Sequence, residues 1–575
     1  MCRPSHFRSG KHRLPIELNI SANGKRLRQS ACKRLKTNRH WSRAMYEISL
    51  IESYFPAIVS EPPEKISLGD LLRRQARDHT DRIAIREVGY DGEIGRTWTY
   101  SSLLADAERL GLALSSRHAP GARIAVYANN IPEWVLLEFG SAFAGLTLVT
   151  VNPAFRAREL RYVLEQSGAE AIYYVSGFRG SDMTAIVEEA CATSPAIRHR
   201  ILLTDHDALF AGADDGVLPL VYAGDIVQIQ YTSGTTGLPK GAQLHHHGLI
   251  QNAHDIMDRF GLREGDCFMH VSPLFHTIGC AILVLGIVDA GATMLLPPMF
   301  DPSMVVRVLE RERPAYLLVV PTMLIALLDE VDRTGRQVSF KGIMSGGSMV
   351  GPDVINRVKA TFGATVQIVY GQTECSPVIT MARRDDLFTD LVGTIGQPLP
   401  HIEVKIADPQ SGKVLPLGEQ GEICTRGYHV MHGYNDNPEA TSKAIDAERW
   451  LLTGDLGRMD SRGYVSITGR VKEMIIRGGE NLFPAEIENA MLEHQDIAEV
   501  AVVGVPCAMF GEQVACFMRA SGSARPAPAE LKAFIRDRLS PQKTPSHWIW
   551  VDEWPLTGSG KIQKFKLAEQ FAATG

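Results

Sequence analysis

The sequence predicts an α/β fold: a large N-terminal domain of mainly parallel sheets with helices on both faces, and a smaller, mobile α+β C-terminal domain. Three observations carry this prediction. Strand-like and helix-like segments alternate from about residue 46, polar glycine-rich segments follow three of the strands directly, and composition shifts between residues 450 and 480.

The alternation opens with ARIAVYA (122–128), an apolar run of strand length. PEWVLLEFGSAFAG (132–145) has helical spacing, with Pro132 suited to a first turn. TLVTV (147–151) is a strand, ELRYVLEQSGAE (159–170) a helix and AIYYV (171–175) a strand again. The rhythm returns at DIVQIQY (225–231), PAYLLVV (314–320), KGIMS (341–345) and VQIVY (366–370). Such alternation implies a largely parallel sheet. TSGTTGLPKG follows the first of these later strands, GGS the third and GQTE the fourth. Ligands of open α/β sheets bind beyond the carboxyl ends of strands, so the three segments are expected to share one site. Past the change in composition come AEVAVVGV (498–505), a Pro/Ala-rich SGSARPAPAE (521–530) and a helix near LKAFIRDRL (531–539). The expected division is a basic arm over 1–44, a large domain over 45–470 and a C-terminal domain over 471–575, joined near Arg470.

Charge separates the arm from the body. Residues 1–44 hold 12 Lys/Arg and one acid, Glu17, which leaves 48 basic and 64 acidic residues and a formal net charge of −16 for the remainder. A body so acidic is not expected to bind nucleic acid. The arm has the composition of an organelle transit peptide but lacks apolar periodicity, and Pro4, Gly10 and Pro15 interrupt any helix. The favoured reading is a disordered tail, or an upstream start with Met45 as the true beginning, which places the protein in the cytoplasm; a mitochondrial matrix location is the alternative. Nine scattered cysteines include no CxxC pair, which argues for reduced thiols and against a zinc or redox motif. The apolar stretches 281–296 and 315–328 are shorter than the ~20 residues of a spanning helix and read as core.

YTSGTTGLPKG (231–241) carries the clearest chemistry. Its three glycines allow close backbone approach to a ligand. Free N–H groups and the hydroxyls of Thr232, Ser233, Thr235 and Thr236 suit phosphate oxygens, and Lys240 adds a cation. The spacing is not that of a Walker A loop. His245, His246 and His247 are adjacent, so their side chains diverge and are not expected to bind a metal.

This loop resembles the phosphate-loop signature of the adenylate-forming (AMP-binding) superfamily, which includes acyl-CoA synthetases, firefly-luciferase-like enzymes and peptide-synthetase adenylation domains. The other motifs follow in the family's order: PLFHTIG (273–279), SGGS (345–348), YGQTE (370–374), TGD (453–455), GRVKEMIIRGGENLFPAEIE (469–488) and GSGKIQK (558–564). The likeness runs from about residue 65 to residue 570 and is most like that of the medium- to long-chain fatty acid–CoA ligases.

The resemblance implies a role for each motif. Thr232, Ser233, Gly234, Thr235, Thr236, Gly237, Leu238, Pro239 and Lys240 would surround the phosphates of ATP, with Gly346, Tyr370, Gly371 and Thr373 completing the nucleotide site. Tyr370 would pack on adenine and Thr373 lie near the α-phosphate. Glu374 would hold Mg2+, with Thr235 sharing the metal. Asp455 would accept hydrogen bonds from both ribose hydroxyls, and Arg470 would contact the nucleotide. Lys561 would be the catalytic lysine, stabilising the crowded anions as a carboxylate attacks the α-phosphate. Lys472 would be the hinge on which the C-terminal domain turns, bringing Gly478 and Gly479 to the channel for the pantetheine arm of coenzyme A. His276 would line the acyl pocket. Gly371 stands where acetate-specific relatives carry a bulky Trp, so a pocket longer than acetate is expected.

The expected reaction converts ATP, a carboxylic acid and CoA to acyl-CoA, AMP and diphosphate. A fatty acid is favoured over an aromatic or alicyclic one, and a homo-oligomer is compatible. Three rivals share the motifs: an enzyme that loads a separate carrier protein, a luciferase-like oxygenase, and a scaffold that has lost catalysis. The chain ends 14 residues after Lys561, so a fused carrier domain is not expected and a separate carrier stays the alternative; AATG is not the SKL address. Retention of Lys240, Glu374, Asp455, Arg470 and Lys561 argues for an active enzyme.

Overall fold

The computed structural model describes residues 48–58, 63–232, 239–470, 473, 475–477, 480–507, 509–557 and 561–574. Three sheets build the large N-terminal part. In the first, Ile226–Thr232, Thr147–Val151, Arg123–Tyr127, Ala171–Tyr174 and His199–Leu202 run parallel, and Lys240–His245 and Gly433–Tyr434 extend one edge antiparallel. Thr147–Val151 and Ala171–Tyr174 are buried along their whole length, which is why they read as unbroken apolar runs. The helix Pro132–Phe143 starts on its proline and is buried throughout, Glu133 and Glu138 included.

The second sheet has nine strands. Val366–Gly371, Gly342–Gly346, Tyr316–Val319, Cys267–Met269, Thr293–Leu296 and Ile83–Val88 form its parallel centre, and Val378–Met381 and Ile94–Thr99 pair antiparallel at either side. The apolar stretch 281–296 is core, as expected: the π-helix Ile278–Leu285 runs into Gly286–Asp289 and then the strand Thr293–Leu296. Among the described residues, no helix is long and apolar enough to cross a membrane.

The third sheet is not visible in the strand–helix rhythm. Tyr54–Phe55, Glu403–Ala407, Gly421–Arg426, Leu451–Met459 and Val465–Arg470 are all antiparallel. Its strands are bulged and only partly buried, so they lack the continuous apolar signature of a parallel sheet. It therefore absorbs the first half of the segment in which composition changes.

After Arg470 the chain forms a sheet of its own. Ile497–Cys507 and Gly511–Ala520 make a long hairpin, Ile475–Arg477 and Glu480–Leu482 extend it, and His547–Trp550 lies parallel to Gly511–Ala520. The helices Pro484–Leu492 and Pro528–Arg536 share a core with one face of this sheet. Leu567 of the last helix, Lys564–Thr574, packs with Ala501, Val503, Val505, Ala515 and Phe517.

Burial in the large part has a consequence for pH. It penalises the imidazolium forms of His245, His246, His270, His276 and His429, pushing them down to about 4, 3, 4, 3 and 3. Unfolded, these groups titrate near 6.5 and take up protons that the folded chain refuses, so stability falls as pH drops below about 6.5. Five groups act the other way: burial disfavours charge on His254, but Asp289 outweighs it and holds His254 near 9; burial raises Asp255 to about 7 and lifts Glu138, Asp386 and Glu422 above their ordinary values. Burial lowers His118, His247 and His401 as well, and eight histidines outnumber five groups, so the urea midpoint is expected to be lower at pH 5 than at pH 7. An unchanged midpoint would show that these histidines are not held neutral.

Candidate active site

Two of the three glycine-rich segments lie side by side. Gly342–Gly346 and Val366–Gly371 are parallel neighbours, with Gly346 opposite Val369. A side chain at Gly346 would place its Cβ 2.2 Å from the Val369 carbonyl oxygen, so only glycine lets these strand ends approach so closely. The phosphate-loop segment belongs to the other parallel sheet, where Thr232 pairs with Lys240. Ser233, Gly234, Thr235, Thr236, Gly237 and Leu238 lie outside the described residues, as do Lys472, Gly478, Gly479 and the basic arm. Pro239, where the description resumes, accepts a hydrogen bond from Tyr162 at 2.8 Å.

A residue that sequence reasoning passed over joins the two sheets. Tyr434 pairs with Ala242 at the edge of the first sheet. Its hydroxyl donates to Glu374 Oε1 at 2.7 Å, and the Lys240 ammonium stands 4.9 Å from the centre of its ring. Glu374 sits in the one-turn helix Thr373–Cys375 just past the second sheet's Val366–Gly371 strand, and is only 8% exposed. The sequence signal was an aromatic in HGYND (432–436) beyond the quoted motifs.

TGD forms part of the strand Leu451–Met459, with Gly454 at φ +73°, a conformation that favours glycine. Asp455 is 6% exposed and opposes Arg470 in register. Its Oδ1 accepts from Arg470 Nε and its Oδ2 from the Tyr370 hydroxyl, both at 2.8 Å. The Asp455 carboxylate holds the Arg470 guanidinium above its ordinary range, and burial raises the Tyr370 phenol well above its own. Tyr370 is therefore anchored through its hydroxyl.

Lys561 comes from the C-terminal part and reaches this ground. A Cβ added at Gly347 would lie 3.0 Å from Lys561 Cε. Burial and Arg470 push the lysine's pKa down, while Asp455 and Glu374 draw it up. His276, at the mouth of the π-helix, is neutral through burial, and the Lys561 charge adds to that effect. Its Nδ1 accepts from the Ile278 amide at 3.2 Å. Lys561 thus feels Arg470, Asp455 and Glu374, and His276 feels Lys561, across both parts of the chain. Such a set suits an anion with several phosphates at one end and a carboxylate at the other.

Other expectations are placed elsewhere. Gly371 offers no open pocket floor. A Cβ there would come 1.9 Å from the Pro377 carbonyl oxygen and 2.8 Å from Val378 Cα, so the position faces backbone. The adjacent histidines diverge only in part: the His245 and His247 rings stack with centroids 6.2 Å apart, and each of the three has its own partner. His245 Nδ1 caps its helix through Gly248 N–H, His246 Nδ1 accepts from the Leu68 amide, and His247 meets the Glu64 carbonyl. Among the described residues no group of three or more His, Cys, Asp or Glu could hold a metal ion. A single buried carboxylate nevertheless fits Mg2+, which takes one or two carboxylates together with substrate phosphates and water.

Comparison with known proteins agrees with this geometry. Residues 72–435 match the family model described as AMP-binding enzyme, and residues 486–561 match the AMP-binding enzyme C-terminal domain. The Bacillus subtilis (strain 168) protein YngI is 38% identical over 88% of this chain and 97% of its own length. The rat (Rattus norvegicus) medium-chain acyl-CoA ligase ACSF2, mitochondrial, is 34% identical over 78% of this chain and 79% of its own. Among solved structures, ATP-bound MatB from Rhodopseudomonas palustris superposes with a TM-score of 0.77 at 28% identity, covering 88% of this chain and 99% of MatB. A match over more than half the chain, with the acidic, basic and aromatic residues of the site gathered as described, makes this protein a member of the AMP-binding enzyme family.

Proposed function

We propose that the protein is an AMP-forming acyl-CoA synthetase acting on a medium or longer fatty acid. The reading rests above all on one observation: Lys561, from the C-terminal part, lies against Gly347 within the field of Asp455, Arg470 and Glu374. An oxygen of the acid attacks the α-phosphorus of ATP, the bond to the β-phosphate oxygen breaks, and diphosphate leaves. Lys561 lies between the incoming carboxylate and the phosphate, where negative charge accumulates. Asp455 receives the ribose hydroxyls on lone pairs that Arg470 and Tyr370 leave available. Lys240 and the loop 232–240 hold the outer phosphates. Glu374, shared with Thr235, would hold Mg2+, which when bound neutralises phosphate charge. The CoA sulfur, having lost its proton, then attacks the acyl carbonyl and AMP departs.

Turning the 471–575 domain about Lys472 would withdraw Lys561 and bring Gly478 and Gly479 to the pantetheine channel. The medium-chain relative and the apolar helix behind His276 support a fatty acid; Gly371 does not contribute to that choice. An aromatic acid, and a carrier protein in place of CoA, are the alternatives that a panel of C2–C18 and aromatic acids with ATP and CoA would separate. The cytoplasm is the proposed location, with the mitochondrial matrix as alternative, and the enzyme is compatible with a homo-oligomer.

Lys561→Ala is expected to lower acid-dependent ATP–pyrophosphate exchange by roughly 10²-fold, the scale of losing one preorganised charge stabiliser. Thioester formation from preformed acyl-adenylate should be largely spared, and equal loss in both steps would contradict the role. Because the lysine's pKa is depressed, the wild-type kcat/KM for adenylation should decline on its alkaline limb below pH 10.5. That limb should be absent from the residual activity of the alanine variant. Gly371→Ala is expected to cost about 1–3 kcal/mol of stability in urea unfolding, as overpacking does, with no change in chain-length preference. A stable variant with altered preference would restore the pocket-floor reading.

A further inference from the structure

Lys564 opens the helix Lys564–Thr574, three residues after Lys561. A cation there faces the positive end of the helix dipole, an unfavourable position that needs compensation. Two carboxylates supply it: Lys564 Nζ lies 2.8 Å from Glu488 Oε1 and 3.0 Å from Glu473 Oε2. Burial disfavours the Lys564 cation, yet Glu488 and Glu473 outweigh burial and hold it above its ordinary range. Glu488 is itself fixed, since its Oε1 accepts the Val502 amide at 2.7 Å. Glu473 Oε1 stands 3.5 Å from Arg470 Nη1, and Arg470 Nε donates to Asp455. Alternating charges therefore run from Asp455 through Arg470, Glu473 and Lys564 to Glu488.

Little slack separates the two lysines. The Lys561 carbonyl accepts from Thr557 N–H at 2.7 Å, and Lys561 N–H donates to Thr557 Oγ1 at 3.0 Å. Leu556 bridges to Ile562, and Gln563 N–H donates to the Pro555 carbonyl at 2.7 Å. Any shift of the helix start moves this hairpin with it. We propose that Lys564, gripped by Glu473 and Glu488, is a positioning residue that sets where Lys561 stands against Gly347 during adenylation. Lys564 acts through Lys561 and touches no reactant. The inference rests on the role given to Lys561 above.

Lys564→Met should lower kcat for pyrophosphate exchange roughly 10²-fold, the scale of misplacing a catalytic group by about an ångström. KM for ATP should stay within about twofold, because transition-state contacts and not ground-state binding are lost. Thioester formation from preformed acyl-adenylate should be spared, and Lys564→Arg should restore most of the exchange. Unchanged exchange, equal loss in both half-reactions, or a folded Lys564→Arg as slow as Lys564→Met would each overturn the proposal. If Lys564→Met loses its cooperative urea transition, Glu473→Gln retains the Lys564–Glu488 pair and should show the same split at smaller amplitude; no split overturns the idea. Tryptic cleavage after Lys561 supplies a readout independent of activity. It should accelerate in Lys564→Met even if wild-type enzyme exchanges pyrophosphate with no acid, an outcome that would refute the functional reading instead. Unchanged cleavage would refute the positioning role.

Discussion

A buried ammonium group set between a repelling guanidinium and two attracting carboxylates is the constraint around which this site is organised. Lys561 loses hydration by burial, and the nearby Arg470 repels it. Removing such an ion from water costs several kcal/mol unless an anion compensates. The carboxylates in reach are already engaged, Asp455 by Arg470 and Tyr370, Glu374 by Tyr434. Lys240 and Arg470 bring the cations to three, and Glu473 and Glu422 bring the carboxylates around them to four, so the site is a network of close opposite charges.

The two tyrosines explain how the carboxylates remain useful. Asp455 already carries one cationic partner, Arg470, and a second cation in place of Tyr370, or one in place of Tyr434 beside Glu374, would compete with a ligand for the carboxylate. A phenol hydroxyl, by contrast, donates one neutral hydrogen bond, which fixes the carboxylate's orientation and leaves its charge and remaining lone pairs available. Tyr370 does this for Asp455 and Tyr434 for Glu374. The two hydroxyls come from different sheets, so the carboxylate expected at the ribose and the one expected at the metal are each braced by a residue outside their own element.

What could be read from the chain divides along physical lines. Parallel strands buried on both faces leave continuous apolar runs, so 147–151 and 171–175 were legible almost to the residue. The Gly-rich loops were legible because close backbone approach demands glycine, as Gly346 against Val369 illustrates. The antiparallel third sheet was not, because its strands mix buried with partly buried residues and are broken by bulges, so they carry no such run. Tyr434 was missed because an isolated aromatic has no local pattern; its meaning arises only when Gly433–Tyr434 pairs with Lys240–His245. Gly371 was misread for a related reason. Sequence can say that a side chain is lacking but not which way the missing Cβ would point, and here it points into the backbone of Pro377 and Val378.

The acid end and the phosphate end of the site are not independent. Ile226–Thr232 delivers the chain to the phosphate loop, and Ile278–Leu285 begins two residues after His276. Between them runs a buried polar thread. Gln230 donates to Cys280 Sγ at 2.9 Å and to Gln228 Oε1 at 2.9 Å, while Gln228 donates to Glu138 Oε1 at 2.7 Å. Cys280 Sγ in turn lies 3.4 Å from the His276 carbonyl oxygen. Burial raises Glu138 well above the carboxylate range, so the thread ends in an acid whose charged form is disfavoured. Neutral hydrogen bonds in a low-dielectric interior are directional and costly to break. The strand leading to Thr232 and the helix behind His276 are thereby tied to each other through the core.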